Sequence, residues 1–233
     1  MDKDLHITMF VAISKHPVPR FITLWDIAEQ LTHSVLQSYG NLTLTKVTPK
    51  HKGLLQLPCQ SKEHIGSISL RLRYKDKVAN RYCNVSAAIF KSSIRISGGV
   101  PYSVQEETRE YINDDALKEY AAMIVDAINF WTDNCMDVED EVQLVNINAQ
   151  TRKQPIPRFI TFCQEKLWRN DKFHRVDLPF MYEYGAIATC HVYPLSGRNC
   201  SAKLQHTGAI QYMGFKEVDM LHVFSTMIDS ELI

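Results

Sequence analysis

The chain has no long apolar run, no surplus of either charge and little glycine or proline. No stretch approaches the roughly 20 consecutive apolar residues that cross a bilayer, so no membrane-spanning helix is expected. The N-terminus, MDKDLHITMF, has neither the basic start nor the apolar core of a secretion signal, so an intracellular protein is expected. Nine glycines and nine prolines in 233 residues exclude collagen-like and low-complexity chains. The six cysteines, at 59, 83, 135, 163, 190 and 200, form no Cys-x-x-Cys pair, and no histidine pair has finger-like spacing. Neither a zinc site nor a disulfide framework is expected, and the cysteines read as small core hydrophobes in a reducing compartment. There is no glycine-rich phosphate loop, no Gly-x-Ser-x-Gly elbow and no His-Glu-x-x-His. The acids of DVEDE (137–141) lack calcium-loop spacing. The expectation is a protein that is not an enzyme and needs no cofactor.

What is present is an ordinary globular composition, 45% hydrophobic and 22% charged, in a chain long enough to bury a core without staples. The 26 basic and 26 acidic residues balance, but they are segregated. Residues 41–95 hold eleven Lys/Arg and two acids, a net of +9; residues 106–141 hold two bases and twelve acids, a net of −10. Residues 152–175 are basic again, with seven Lys/Arg and two acids. Such separation makes one surface attractive to polyanions and another repulsive.

The chain also repeats itself. PVPRFIT (17–23) and PIPRFIT (155–161) agree at six of seven positions, at an offset of 138. Thr23 with Asp26, and Thr161 with Gln164, have capping-box spacing, so a helix is expected to start after each threonine. IGSISLRLRY (65–74) parallels YGAIATCHVY (184–193), and NVSAAIFKSSIRISGG (84–99) parallels NCSAKLQHTGAIQYMGF (199–215). Each copy ends in an amphipathic helix, with stripes at Leu117, Tyr120, Ala121, Ile124, Ile128 and Trp131 in the first, and Val218, Leu221, Phe224 and Ile228 in the second. The order is strand, helix, three or four antiparallel strands, helix, twice over: repeats at 1–137 and 138–233, the first with an acidic insertion at 100–111. This is an α+β pattern, with helices covering one sheet face and the other face free to bind.

Alternation assigns the faces. In 65–73, Ile68, Leu70 and Leu72 point to the helices, and Ile65, Ser67, Ser69, Arg71 and Arg73 point away. Arg95 and Ser97, and likewise Gln211 and Met213, point away from the helices. Residues 84–90 leave the assignment open, with Ser86, Ala88 and Phe90 sharing one side. Small residues, arginines and a large aromatic on an open face suit a nucleic-acid groove.

AAIFKSSIRISGG resembles the hallmark segment of the TATA-binding protein family: a strand ending in Ile-Phe, a Ser-rich turn, an alternating strand and a Ser-Gly. TGAIQYMG before an acidic amphipathic helix is similar to its second copy. The resemblance is strongest to the divergent members of large DNA viruses. It implies a saddle: one curved antiparallel sheet of two pseudo-symmetric repeats, helices on the convex face, and a concave face in the DNA minor groove that kinks the duplex with phenylalanines. Phe90 then matches one wedge and Ile65 falls at its partner's place; Tyr184 and Gln205 fall at the two wedge places of the second copy. Asn146 matches a central asparagine, with Thr8 as its first-copy counterpart. Arg71 matches a phosphate contact, and Lys203 lies within reach of another phosphate. Arg95 and Gln211 stand where the family has groove-facing valines, and Ser97 and Met213 where it has threonines. Weaker, lopsided kinking is expected, with the basic first repeat gripping harder.

The function implied is that of a general transcription factor, reading AT-rich double-stranded promoter DNA and recruiting a transcription factor IIB-like protein and a multisubunit RNA polymerase at initiation. Implied partners also include a second copy of the chain when DNA is absent, and implied locations are a host nucleus, a cytoplasmic virus factory or the virion. The competing reading is a protein-interaction or virion scaffold that kept the fold and lost specific DNA binding.

Overall fold

A computed structural model describes residues 5–15, 18–51, 65–106, 113–133, 135–136, 141–178, 188–195 and 200–232. Packing divides the chain into two compact units, 10–145 and 1–9 with 146–233. They differ from the repeats counted along the chain by the ends of two strands, β1 (His6–Lys15) and β7 (Val142–Arg152), each divided between the units.

In the unit 10–145, β1 is followed by α1 (Leu24–His33), β2 (Ser38–Tyr39), β3 (Leu42–His51), β4 (Ile65–Asp76), β5 (Arg81–Ile89), β6 (Ser93–Gly98), α2 (Tyr102–Glu106) and α3 (Asp114–Trp131). The strand order is β2-β3-β4-β5-β6-β1, and every neighbouring pair in it is antiparallel. The capping box expected at Thr23 is formed: its hydroxyl accepts from the Asp26 N–H, and the Asp26 carboxylate accepts from the Thr23 N–H at 2.8 Å. Asn113 caps α3 by accepting from the Ala116 N–H at 2.9 Å, and Asp114 and Asp115 in the first turn complement the helix dipole. The apolar stripe of α3 is buried, and α1 packs on β3 and β4 while α3 packs on β6. Tyr120 of α3 anchors this layer, its ring 5.5 Å from those of both Phe10 and Tyr74.

Asp76 ties two segments of this unit together. It is the last residue of β4, faces the helix layer and is 0% exposed. Its carboxylate accepts from the N–H groups of Val78 and Ala79 in the hairpin turn, at 3.0 and 3.2 Å, and from Ser103 at 3.1 Å. The acid thereby ties the start of α2, in the expected insertion 100–111, to the β4–β5 turn. Burial pushes the carboxyl up, but the N–H donors of Ala79, Ser103, Tyr102 and Val78 outweigh it and hold the pKa below its ordinary 3.8.

In the unit 1–9 with 146–233, β7 leads to α4 (Phe159–Phe162), which continues as a π-helical turn (Cys163–Leu167), then β8 (Phe173–Asp177), β9 (Thr189–Pro194), β10 (Ser201–Gln205), β11 (Ala209–Phe215) and α5 (Val218–Leu232). The strand order is β1-β7-β11-β10-β9-β8. Phe224 of α5 sits among Phe173, Tyr212 and Phe215, with ring centroids 6.2, 6.3 and 5.8 Å away. The helix expected after Thr161 starts earlier. The Phe162 N–H already donates to the Arg158 carbonyl at 3.0 Å, so Thr161 lies inside the first turn and cannot adopt the extended backbone of a cap. Arg158 takes that place in a left-handed conformation, with φ 49° and no side-chain cap.

The described cysteines are free; Cys163, Cys190 and Cys200 are buried. A hydrogen bond with Cys163, together with burial, pushes the Cys190 thiol up, and burial does the same at Cys83, Cys135 and Cys200. Cys59 lies outside the described residues. Among the described residues no helix is long and apolar enough to cross a membrane.

Two expectations follow. Asp76→Asn keeps the shape but loses charge-assisted bonds, and should cost about 1–3 kcal/mol at neutral pH. Because the folded pKa is depressed, this stabilisation is present above 3.8 and is lost as pH falls below it, so thermal melts of wild type and variant should converge in acid. Phe224→Ala should cost roughly 3–5 kcal/mol by opening a cavity among three rings, measured by denaturant unfolding.

Candidate nucleic-acid interface

In the unit 10–145 the helices cover one sheet face, and alternation leaves the other open. Residues directly opposite in antiparallel strands share a face, so the pairings define rows across it. One row runs Thr48, Ser69, Ala88, Arg95, Ile13; the next runs Lys46, Arg71, Ser86, Ser97, Val11; a third joins Thr43, Arg73 and Asn84. Arg71, Arg73, Arg95 and Ser86 are exposed, and Ser69, Ala88 and Ser97 are half-buried. The assignment left open for 84–90 is thus settled: Val85, Ala87 and Ile89 are buried, and Ser86 and Ala88 face out. Phe90 follows β5 in the turn closed by its own N–H to the Ser93 carbonyl, and is 38% exposed.

The arginines form no ion pair among the described residues. Arg73 lies 5.2 Å from the centroid of the exposed Tyr82 ring, a stacking that leaves its edge N–H groups available. Two strands' spacing and two residues of register put the Cα atoms of Arg71 and Arg95 ~12 Å apart. Lys46 and Lys50 of β3 join this face. Strict alternation from Leu42 and Leu44 would turn Lys46 and Lys50 toward the helices, but a bulge between Leu44 and Lys46 changes the parity of the strand. The extra residue, Thr45, donates its hydroxyl to the Arg71 carbonyl at 2.9 Å. The hint in the sequence is the alternation LTLT ahead of the basic KVTPK.

Ile65 departs from its expected role. Alternation puts it on the side of Ser67 and Ser69, but it is 5% exposed, at a register irregularity where it pairs with His51. A covered side chain is not presented for insertion between bases.

The open face of the other unit is differently built. Its central row is Gln150, Gln211, Lys203, His191, Asp177. The Arg175 Nε donates to Asp177 at 2.7 Å, so that cation is already neutralised. Gln205 is half-buried, and its Oε1 accepts from the Thr207 hydroxyl at 3.4 Å. Met213 is half-buried beside the bulge between Tyr212 and Phe215, where Gly214 has φ 83° and donates its N–H to Asn148 Oδ1 at 3.0 Å. Tyr184 lies outside the described residues.

The counterpart of Asn146 is also revised. Ile13 pairs with Arg95 and Gln150 pairs with Gln211, so the central strands correspond at an offset of 137, and Met9 rather than Thr8 matches Asn146. The 138 of the proline segments includes one residue gained after β7. The Thr8 hydroxyl donates to the Asn148 carbonyl at 3.3 Å, while Asn146 Oδ1 is buried with no partner among the described residues. Asn148, two residues along the same strand face, was not singled out from the sequence.

No protein-family model matches the chain, and no curated protein does. Among solved structures, the chain is similar to the Methanococcus jannaschii TBP, at 17% identity with a TM-score of 0.54, over 98% of each chain. The likeness is one of fold: this is a TBP-like α+β fold, built on an antiparallel sheet with helices packed on it.

Gly98 permits the close approach of β5 and β6 beside the arginine rows. A Cβ there would meet the Asn84 carbonyl oxygen and Val85 Cα, both at 2.8 Å. Gly98→Ala should cost about 1–3 kcal/mol and shift the amide resonances of 84–86 and 96–98, seen in a heteronuclear NMR spectrum.

Proposed function

We propose that this chain binds double-stranded DNA in the minor groove through the open face of the unit 10–145, as a TATA-binding-protein-like transcription factor. The observation that carries the reading is the face itself. Arg71, Arg73, Arg95 and Lys46 share one side of the sheet, with no acid paired to them among the described residues. A stabilising interior role is not open to exposed, unpaired cations. A polyanion gives them partners, and released counterions supply the free energy. Ser69, Ser86, Ala88 and Ser97 between them are small enough to admit a sugar–phosphate backbone.

The reading makes binding unequal. Amide-rich and partly neutralised, the face of the other unit offers amide hydrogen bonds from Gln211 and Asn146 and fewer cations, Lys203 among them. The minor groove offers chiefly an AT-against-GC distinction, so AT-rich duplexes are the class of ligand. At a promoter the protein would recruit a factor IIB-like protein and a multisubunit RNA polymerase. Its divergence fits a factor of a large DNA virus, working in a nucleus or a cytoplasmic factory. The alternative, an interaction scaffold without specific DNA binding, draws on the covered Ile65 and the tethered Gln205.

Fluorescence anisotropy on AT-rich and GC-rich duplexes over a salt series separates the two. The expected outcome is AT-favoured binding whose logarithmic salt slope falls by about 1 in Arg71→Ala, with affinity lowered uniformly across sequences. Absence of binding even at low salt would sink the DNA reading and leave the scaffold.

A further inference from the structure

We infer that the tip of the β4–β5 hairpin is a second contact for duplex DNA, holding the sugar–phosphate backbone beyond the open face without regard to sequence. The inference rests on the DNA-binding reading and concerns how much duplex the chain covers.

The tip reaches past the strands beside it. The pairing of β3 ends at Leu42 opposite Tyr74, and that of β6 ends at Gly98 opposite Val85. β4 and β5 go on pairing with each other, through Lys75 with Tyr82 to Asp76 with Arg81. A two-stranded ribbon by itself is marginally stable, but this one is held. The Asp76 carboxylate accepts from the turn N–H groups of Val78 and Ala79 and from the Ser103 N–H of α2. The Arg81 guanidinium lies 5.9 Å from the centroid of the Tyr102 ring, also in α2. Both anchors are on the helix side. The opposite side of the tip is thereby fixed in place while Lys75 and Tyr82 stay exposed on it.

That side carries charge in a line. Arg71, Arg73 and Lys75 stand at every second position of β4, about 7 Å apart, and Lys77 follows in the turn. All four are exposed, and none forms an ion pair among the described residues. Residues 73–82 hold four Lys/Arg and one acid, a net of +3, and that acid, Asp76, is turned to the helix layer. Tyr82 is 60% exposed, with Arg73 stacked on its ring. Core packing asks for neither the line of cations nor the open ring. A polyanion lying lengthwise along β4 meets all of them. The cations take phosphates, the Tyr82 ring lies against a deoxyribose, and its phenol donates to a phosphate oxygen. Contacts of this kind position a duplex and carry no sequence information. An acidic protein segment would match the charge, but the line is continuous with the arginine rows of the open face, so a duplex on that face runs onto the tip.

The test uses duplexes that share one AT-rich core and differ in their flanks: none, or about one helical turn (~10 base pairs) of mixed sequence on each side. Affinity is read by anisotropy over a salt series. Wild type is compared with Arg71→Ala and with a triple variant carrying Lys75→Ala, Lys77→Ala and Tyr82→Ala, after thermal melts establish that each is folded. Flanks should tighten wild-type binding about tenfold, whatever their sequence. The triple variant should bind the bare core as wild type does and gain little from flanks. Its logarithmic salt slope on the flanked duplex should fall by about 2, one for each lysine removed. Arg71→Ala should weaken bare and flanked duplexes by a similar factor. Equal gain from flanks in wild type and triple variant overturns the inference while leaving DNA binding intact; this is also the result if the tip holds an acidic protein segment instead. So does a wild type indifferent to flanks, or a triple variant that loses the bare core. Lack of binding to any duplex overturns both the inference and the DNA reading.

Discussion

The burial of one sheet face under amphipathic helices governs the rest of this molecule. In the unit 10–145, α1 and α3 cover the side formed by Ile68, Leu70, Leu72, Val85, Ala87, Ile94 and Ile96. A strand has a side-chain period of two, so whatever stands between those residues is forced onto the opposite side. Arg71, Arg73, Ser86, Arg95 and Ser97 thus share a surface because their neighbours in sequence share a core. The functional face is the complement of the hydrophobic one, and neither could be moved by a single residue without exchanging the two.

That constraint also explains why the two units diverge in chemistry while keeping one plan. The core positions stay apolar in both, as at Ile94 with Ile210 and Ile96 with Tyr212. The open positions drift, from Arg95 to Gln211 and from Ile13 to Gln150, because packing places no demand on them. One unit thereby collects arginines with no ion pair among the described residues, and the other collects amides, Lys203 and an Arg175 paired to Asp177. The strained or specialised backbone sits at the joints. Examples are the bulge at Gly214, held by Asn148, and the β4–β5 turn, held by the buried carboxylate of Asp76.

Much of this was legible in the chain. The α3 and α5 stripes, the Thr23 cap, and the outward sides of β4, β6 and β11 follow from local periodicity and short-range hydrogen bonding. The PVPRFIT and PIPRFIT pair announces the repeat. The TBP-like fold expected from the hallmark segments agrees with the structural likeness. Where the reading went astray, the cause lies beyond the local window. Thr161 has the spacing of a cap, but the preceding turn closes first on Arg158. Thr8 matches Asn146 at the offset of the proline segments, but the strands pair one residue out of step with those segments.

The sequence by itself determined which residues are buried along each regular strand and helix, and so which side chains are left to face out, because those choices depend on periods of two and 3.6 residues and on caps three residues long. Tertiary structure decided the rows that set Arg95 between Ala88 and Ile13, the bulge that brings Lys46 beside Arg71, the covering of Ile65 and the capture of α2 by Asp76. Each depends on the register of segments far apart in the chain. Register is selected by the best joint burial of several strands and by where one of them gains a residue, and no single segment carries that information.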